Sequence, residues 1–212
     1  MNKNLLIIGA GGFGREVLQW VKDINKIKPT WNIIGFIDDN LSALEKIECD
    51  YKVVGTIKDW KPKENERFVM AIAHPKTKQE IARNLKNKGA IFTSLIHPTA
   101  SISDMAQIGE GLVMYPHSLI TVNTKIGDFV TILSFNEVGH DAVIGNYCTI
   151  SSYCDITGGV KLGDRVFLGS HATIIPQRKV GNDVYIGAGS VVISNLKSSI
   201  HVFGNPAVKI DF

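Results

Sequence analysis

The sequence predicts an α/β Rossmann-like N-terminal domain followed by a left-handed parallel β-helix of hexapeptide repeats. Three observations carry this prediction. An aliphatic residue recurs at every sixth position from residue 96 to residue 192, buried strands alternate with amphipathic helices before it, and a glycine-rich loop joins the first strand to the first helix. We therefore expect one domain over residues 1–95 and a second over residues 96–212, whose C-terminal tail caps the β-helix.

The period of six matches neither an α-helix nor a hairpin strand, and it continues without a break. Three hexads close one triangular coil, so residues 18 apart in sequence stack at about 4.8 Å, the spacing of paired strands. The aliphatic residue and the small residue two positions earlier both point into the coil. We expect the next three residues to turn the corner, where glycine adopts positive φ at little cost. The aliphatic positions are Ile96, Ile102, Ile108, Met114, Ile120, Ile126, Ile132, Val138, Ile144, Ile150, Ile156, Leu162, Leu168, Ile174, Val180, Ile186 and Val192.

The first ninety residues alternate strand-like and helix-like segments. Apolar runs at Leu5–Ile8, Ile33–Ile37 and Phe68–Ala73 predict buried strands, and amphipathic segments at Arg15–Asp23 and Thr77–Lys88 predict helices. Such alternation predicts a small parallel sheet. No low-complexity segment or linker separates this part from the repeats, so we expect the two domains to pack rigidly.

The composition is that of an ordinary soluble protein. The 212 residues are 44% hydrophobic and 20% charged, with a formal net charge of +3 and a pI near 8.7. No cluster of Lys and Arg with interleaved aromatics indicates nucleic-acid binding, and no apolar run reaches the length of a membrane span. No signal peptide precedes the first strand, so we expect a cytoplasmic protein. Three Cys without a CxxC pair favour neither a disulfide framework nor a zinc site, and Cys148 and Cys154 occupy inward positions.

A glycine-rich loop, Gly9-Ala10-Gly11-Gly12-Phe13-Gly14, follows the first strand and opens the first helix. Its glycines permit close approach of a phosphate, and the helix N-terminus offers free N–H groups and a positive dipole. Asp38 ends the next strand, where a carboxylate binds a ribose or sugar hydroxyl. The unit is only about half of a dinucleotide-binding domain, so we favour a nucleotide or nucleotide-sugar over NAD. A tight turn that binds nothing is the alternative.

The repeats carry three histidines, His117, His140 and His171, all at outward-facing corners. One class of hexapeptide trimers binds zinc through histidines, which requires two ligands close together on one chain. His117 and His171 are three coils apart, about 14 Å by the stacking rule, and His140 lies at a different corner. We therefore expect no metal. His74 and His97 each precede a proline, which favours structural or capping roles.

His140 is the candidate for catalysis because of its neighbours. Asp141 follows it, and the residue one coil later is Gly158. An imidazole beside a backbone N–H provides the general base and the oxyanion donor that acyl transfer needs. Asp141 would hold the imidazole tautomer or raise its basicity. An ordinary surface histidine is the alternative.

Several motifs occur in a characteristic order along the whole chain. They are the glycine-loop α/β unit, Phe36-Ile37-Asp38-Asp39, His97-Pro98-Thr99-Ala100, the hexapeptide repeat, His140-Asp141 and Gly204-Asn205-Pro206-Ala207-Val208-Lys209-Ile210. Together they resemble the bacterial sugar acetyltransferases of the sialic-acid O-acetyltransferase and nucleotide-amino-sugar N-acetyltransferase group. The repeat with the G-N-P-A tail is specific for acyl transfer, whereas the sugar is much less determined.

The resemblance implies a homotrimer that binds acetyl-CoA between adjacent solenoids and a nucleotide-linked amino sugar at the N-terminal domain. It implies His140 as the catalytic base and Asp141 as its acidic partner. The implied acetyl-CoA contacts are Thr149, Gly158, Ser170, Ala188, Pro206 and Lys209, and the implied sugar contacts are Gly11, Gly12, Phe13, Asp38 and Asp39. Some members of the group have histidine at the positions of Phe13 and Thr149.

We expect acetyl transfer from acetyl-CoA to the amino group of the nucleotide-linked sugar, in the synthesis of bacterial surface glycans, with His140 as the base. Three rival hypotheses remain. An O-acetyltransferase acting on a sialic acid shares the fold and the base. An NAD(P) dehydrogenase rests on the glycine loop alone, and a non-catalytic trimeric scaffold needs neither His140 nor the G-N-P-A tail.

Overall fold

The computed structural model describes residues 3–210 and contains the two predicted parts in order. A four-stranded parallel sheet with two helices comes first, and a left-handed parallel β-helix follows. The predicted fold class is confirmed. No helix between residues 3 and 210 has the length and apolar character to cross a bilayer.

The N-terminal sheet has the strand order β3-β2-β1-β4. Its strands are β1 (Lys3–Ile8), β2 (Trp31–Ile37), β3 (Val53–Gly55) and β4 (Glu66–Met70), and the helices are α1 (Gly12–Ile27) and α2 (Pro75–Asn87). The chain passes from β1 to β2 on one side and later to β4 on the other, so the carboxyl end of β1 lies at a topological switch point. Sheets of this kind bind ligands at that place.

Helix α2 begins two residues before its predicted start. His74 is its N-cap, and the His74 ring nitrogen Nδ1 accepts a hydrogen bond from the Thr77 N–H at 3.3 Å. Pro75 occupies the first turn, where its missing N–H is not needed. The predicted capping role of His74 is confirmed.

Most strands of the β-helix have two residues and pair with the strands 18 residues before and after them. The last two strands have three residues each, and the first of them pairs at a spacing of 16 residues, His201 with Tyr185. The strands are β5 Leu95–Ile96, β6 Ser101–Ile102, β7 Gln107–Ile108, β8 Val113–Met114, β9 Leu119–Ile120, β10 Lys125–Ile126, β11 Thr131–Ile132, β12 Glu137–Val138, β13 Val143–Ile144, β14 Thr149–Ile150, β15 Asp155–Ile156, β16 Lys161–Leu162, β17 Phe167–Leu168, β18 Thr173–Ile174, β19 Lys179–Val180, β20 Tyr185–Ile186, β21 Val191–Val192, β22 His201–Phe203 and β23 Val208–Ile210. The predicted boundary after residue 95 falls within β5.

These strands form the three faces of a prism. The first face contains β5, β8, β11, β14, β17, β20, β22 and β23, the second contains β6, β9, β12, β15, β18 and β21, and the third contains β7, β10, β13, β16 and β19. Every aliphatic position of the repeat from Met114 to Val192 is buried, as predicted. Ile96 is 38% exposed because the first coil has a neighbour on one side only, so its predicted inward burial is wrong. Cys148 and Cys154 are buried in the core, and burial raises the pKa of their thiols to about 12 and about 11.

The glycines after the aliphatic positions serve a different purpose from the predicted one. Positive φ occurs two residues further on, mostly at non-glycine residues such as Asp141 and Tyr147, with φ of 59° and 60°. A Cβ at Gly139 would instead lie 2.7 Å from the backbone nitrogen of Gly158 in the next coil. The glycine is therefore required by the close approach of adjacent coils.

The two domains are joined through a fully buried lysine on α2, Lys78. Its ammonium group contacts two adjacent coils of the first face. The acceptors are the Phe129 carbonyl at 3.2 Å, the Thr131 hydroxyl at 2.9 Å, the Cys148 carbonyl at 3.1 Å and the Thr149 hydroxyl at 2.8 Å. None of these acceptors is a carboxylate, and burial lowers the pKa of Lys78 to about 7.

We predict that Lys78 makes the protein more stable as pH rises from about 7 toward 10.5. The folded pKa lies below the ordinary value of 10.5, so the unfolded chain binds more protons in this window. The gain is at most about 1.4 kcal/mol per pH unit. Thermal unfolding of the wild type and of Lys78→Met at pH 7 and pH 9 measures it, and the variant should lose this pH dependence. Lys86→Met, on the exposed side of α2, is the control; equal slopes for all three proteins would contradict the prediction.

Candidate active site

His140 lies at the edge where the second face of the prism meets the third, between β12 and β13. Its ring nitrogen Nδ1 is 2.8 Å from the Asp141 oxygen Oδ2. The hydrogen bond from His140 is the main cause that lowers the pKa of Asp141. An ionised carboxylate can only accept, so Nδ1 carries the hydrogen, and in the neutral imidazole Nε2 then has a free lone pair. The predicted pairing of these two side chains is present.

The His140 ring lies against Gly158, one coil later. A Cβ at Gly158 would be 2.5 Å from Nε2 of the ring, so the imidazole occupies the space that a side chain would fill. The Gly159 N–H donates to the His140 carbonyl at 2.8 Å, which holds the two coils together here. Within residues 3–210, no acceptor pairs with the Gly158 N–H. A basic nitrogen and an unpaired backbone donor therefore meet at one corner, the combination that can deprotonate a nucleophile and stabilise an oxyanion.

This corner is open to solvent in the single chain. The side chains of His140 and Asp141 are 68% and 59% exposed. No group of three or more His, Cys, Asp or Glu side chains in the described part of the chain is placed to hold a metal ion.

The glycine-rich loop is built for close packing between β1 and α1. A Cβ at Gly14 would lie 1.9 Å from the Gly9 carbonyl oxygen, so only glycine fits there. Gly11 is the N-cap of α1 and has no side chain to bind the first N–H groups of the helix. The Asp38 carboxylate accepts the Ala10 N–H at 2.7 Å, which joins the end of β2 to the loop. The loop thus presents exposed backbone and free donors beside Asp38.

The loop also packs against the prism, at the edge between its first and second faces. Tyr115, at that edge, packs against Phe13 with ring centroids 5.8 Å apart and the ring planes tilted by 52°. The Tyr115 hydroxyl donates to the Glu16 carboxylate at 3.1 Å. The other predicted sugar contact, Asp39, accepts the Lys58 N–H at 3.0 Å. The predicted sugar contacts therefore follow the carboxyl ends of β1 and β2, and Phe13 is the one that reaches this edge.

The residues predicted to contact acetyl-CoA lie in four places, of which the first is Gly158 at the His140 corner. Ser170 and Ala188 are one coil apart at the edge between the first and second faces. Pro206 is exposed, and Lys209 lies on β23, which pairs with β22 at the end of the first face. Thr149 lies elsewhere: it is 1% exposed, and its hydroxyl donates to the Ala73 carbonyl at 2.7 Å while it accepts from Lys78. The Thr149 side chain is thus engaged at the domain junction.

A column of stacked aromatic rings, which was not predicted from the sequence, runs along the edge between the first and second faces. The ring centroids of His117 and Phe135 are 5.1 Å apart, those of Phe135 and Tyr153 are 5.0 Å apart, and those of Tyr153 and His171 are 4.9 Å apart. The signal was available, because successive members are 18 residues apart. Two rings separate His117 from His171, as the predicted three-coil separation requires.

Comparison with known proteins gives matches to both parts of the chain. Residues 4–85 match the PglD N-terminal domain, and residues 123–158 and 159–194 match the bacterial transferase hexapeptide (six repeats). The GDP-perosamine N-acetyltransferase of Escherichia coli O157:H7 is 31% identical over 120 residues, covering 56% of this chain and 53% of that protein. The chain spans about half the length of the curated relatives it matches.

Two solved structures resemble the chain over nearly its whole length. PerB from Caulobacter crescentus, in complex with CoA and GDP-perosamine, has a TM-score of 0.88 and 27% identity, covering 98% of this chain and 97% of that one. The acetyltransferase domain of PglB from Neisseria gonorrhoeae FA1090, in complex with acetyl coenzyme A, has a TM-score of 0.88 and 27% identity, covering 99% and 100%. With its PglD N-terminal domain, its hexapeptide repeats and this fold, the chain resembles hexapeptide-repeat sugar acetyltransferases over nearly its whole length.

Proposed function

We propose that this protein transfers an acetyl group from acetyl-CoA to the amino group of a nucleotide-linked amino sugar. The observation that carries the proposal is the His140 imidazole, hydrogen-bonded to Asp141 through Nδ1 and resting with Nε2 against Gly158. The similarity to PerB, which binds CoA and GDP-perosamine, supports the two substrates. The similarity to the N-acetyltransferase of Escherichia coli O157:H7 supports an amine as the acceptor.

The proposed reaction is direct transfer in a ternary complex. Nε2 of His140 takes a proton from the sugar amine as its nitrogen attacks the thioester carbonyl carbon and the C–N bond forms. The Gly158 N–H donates to the oxyanion of the tetrahedral intermediate. When the intermediate collapses, the C–S bond breaks and the CoA thiolate takes the proton from the His140 imidazolium. Asp141 holds the imidazole in the required tautomer throughout.

We propose that the sugar nucleotide binds at the glycine loop and that acetyl-CoA binds along the prism. Gly11, Gly12 and Phe13 would contact the diphosphate and sugar, with Asp38 and Asp39 on hydroxyl groups. The free N–H groups at the start of α1 support an anion there.

Gly158, Ser170, Ala188, Pro206 and Lys209 would contact acetyl-CoA. Thr149 would do so only after leaving its bonds to Ala73 and Lys78. A cytoplasmic location, where acetyl-CoA is made available to such enzymes, belongs to the same proposal.

We further propose that the active unit is a homotrimer. In one chain, His140 lies at one edge of the second face, whereas Phe13, Tyr115 and Ser170 lie at the opposite edge. A neighbouring copy that places its glycine-loop edge beside His140 would complete the site. This arrangement supports the trimer on chemical grounds, because both substrates must meet at one base.

The test of the proposed function is thiol release from acetyl-CoA by the full chain, measured with a panel of UDP-, dTDP- and GDP-linked amino sugars and with free sialic acid. Release with one nucleotide-linked amino sugar, accompanied by an N-acetyl product in the mass spectrum, supports the proposal. Release only with sialic acid would replace it with O-acetylation of a sugar hydroxyl. No release with any acceptor, with no binding of acetyl-CoA, would favour a scaffold.

We predict that His140→Ala lowers kcat by about 10²–10⁴-fold, the usual contribution of a general base. The exposed side chain makes little packing contact, so the melting temperature and oligomeric state should not change. Lys161→Ala, exposed on the third face, is the control. Unchanged turnover in His140→Ala would show that another group is the base.

We predict that Gly158→Ala inactivates the enzyme while the fold is retained. The new methyl group would lie 2.5 Å from Nε2, and the exposed imidazole can rotate away without disturbing the core. Loss of kcat with an unchanged melting temperature is the expected result. Wild-type turnover in Gly158→Ala would contradict the placement of the ring.

We predict that Gly11→Asp raises the KM for the sugar nucleotide and leaves the KM for acetyl-CoA unchanged. Aspartate is a favourable N-cap, so α1 should form normally, but its carboxylate would repel the diphosphate. Coexpression of Gly11→Asp with His140→Ala should restore part of the activity, because mixed trimers contain sites with one intact edge from each copy. The absence of any restoration would place both halves of the site on one chain.

A further inference from the structure

Asn123 lies one coil before Asp141, at the same turn of the prism. The two residues share the left-handed backbone conformation, with φ of 57° and 59°. The Asp141 N–H donates to the Val122 carbonyl at 3.1 Å, which fixes the two turns against each other. Because residues 18 apart stack directly, the side chains of Asn123 and Asp141 emerge side by side.

The side chain of Asn123 lies beside the Asp141 carboxylate, one coil away, and a hydrogen bond from it is among the causes that lower the pKa of Asp141. The carboxylate is ionised and can only accept, so the Asn123 amide nitrogen donates. Asp141 thus receives one hydrogen bond from His140 and another from Asn123. Three side chains thus lie in a row along this edge. The Asn123 amide lies beside the Asp141 carboxylate, which accepts from the His140 imidazole, and Nε2 of that ring faces Gly158.

The contact with Asn123 restricts the conformation of the Asp141 side chain, which is otherwise exposed to solvent. The Asp141 side chain is 59% exposed, so water competes for its oxygens and several rotamers are open to it. A second donor limits the carboxylate to the orientation in which it accepts from Nδ1. The imidazole then keeps the tautomer with a free Nε2, the one that acts as a base.

We propose that Asn123 is a positioning residue of the active site, acting on His140 through Asp141. This inference rests on the proposed acetyl transfer, in which His140 is the base. In this role Asn123 acts only through Asp141, so its loss should lower kcat and leave both KM values unchanged.

The test uses Asn123→Asp and Asn123→Gly in the full chain. Aspartate has the same shape and tolerates the left-handed backbone, but it has no hydrogen to donate. Glycine removes the side chain without backbone strain or added charge. Both variants should lose about tenfold in kcat, the lower end of what loss of a supporting hydrogen-bond partner costs. Gln177→Glu makes the matching amide-to-carboxylate change in the same column of turns, with φ of 64°, and should keep wild-type kinetics.

A double-mutant cycle identifies the route of the effect. Asn123→Gly in an Asp141→Gly background should cause no further loss of kcat, because Asn123 has nothing left to orient. Two losses that multiply would overturn a role through Asp141. Wild-type kcat in both Asn123 variants would overturn the inference itself.

Nitrogen-15 NMR of the His140 ring tests the inference without any turnover. The wild type and Gln177→Glu should show the tautomer protonated at Nδ1, and Asn123→Gly should show a mixture of tautomers. If the wild type transfers no acetyl group to any acceptor, the proposed function fails, and the NMR result still decides the role of Asn123. An unchanged tautomer in Asn123→Gly would overturn it.

Discussion

Adjacent coils of the solenoid are joined by parallel backbone pairing between residues 18 apart, and this register determines where every corner side chain lies. Ile126, for example, pairs with Ile108 in the coil before it and with Ile144 in the coil after it. The backbone of the candidate site belongs to the same network, because the Gly139 N–H donates to the Ile156 carbonyl at 2.7 Å. His140 and Gly158 therefore cannot drift apart while the coils stay paired. A base and a donor held in this way need little reorganisation during a reaction.

The N-terminal domain is held on this rigid support by a polar contact where an apolar one would be expected. A lysine that is fully buried without an acidic partner costs stability, as the lowered pKa of Lys78 shows. Its ammonium group finds four acceptors on two adjacent coils, and displacement of α2 along the prism would lose them. An apolar side chain makes no directional contacts, so it would pack equally well against the prism at more than one position along it. Lys78 therefore defines one position of the glycine loop relative to the prism.

The sequence predicted those features that follow from the period of six. Because residues 18 apart stack in adjacent coils, the sequence predicted that His140 and Gly158 are neighbours. The same spacing places Asn123 beside Asp141. Lys78 could not be predicted, because within an amphipathic helix it is one polar residue among several. Which face of the prism the N-terminal domain covers is not encoded in the repeat either. For that reason the burial of Thr149, on the covered face, was not anticipated. Periodicity predicts contacts within the solenoid, whereas contacts between domains depend on individual side chains.

The exposure of the base bears on how the proposed chemistry could proceed. A backbone N–H stabilises an oxyanion strongly only where water is excluded, yet the His140 side chain is 68% exposed in one chain. The loop that would bind the sugar nucleotide lies along the other edge of the second face, beside Tyr115. Neither edge alone encloses a reaction. Enclosure has to come from a second copy and from the substrates themselves, so the proposed trimer is part of the catalytic apparatus and not only a means of stabilising the fold. In such an assembly the side chains that orient His140 stay within one chain, while the group that it deprotonates is delivered by the next.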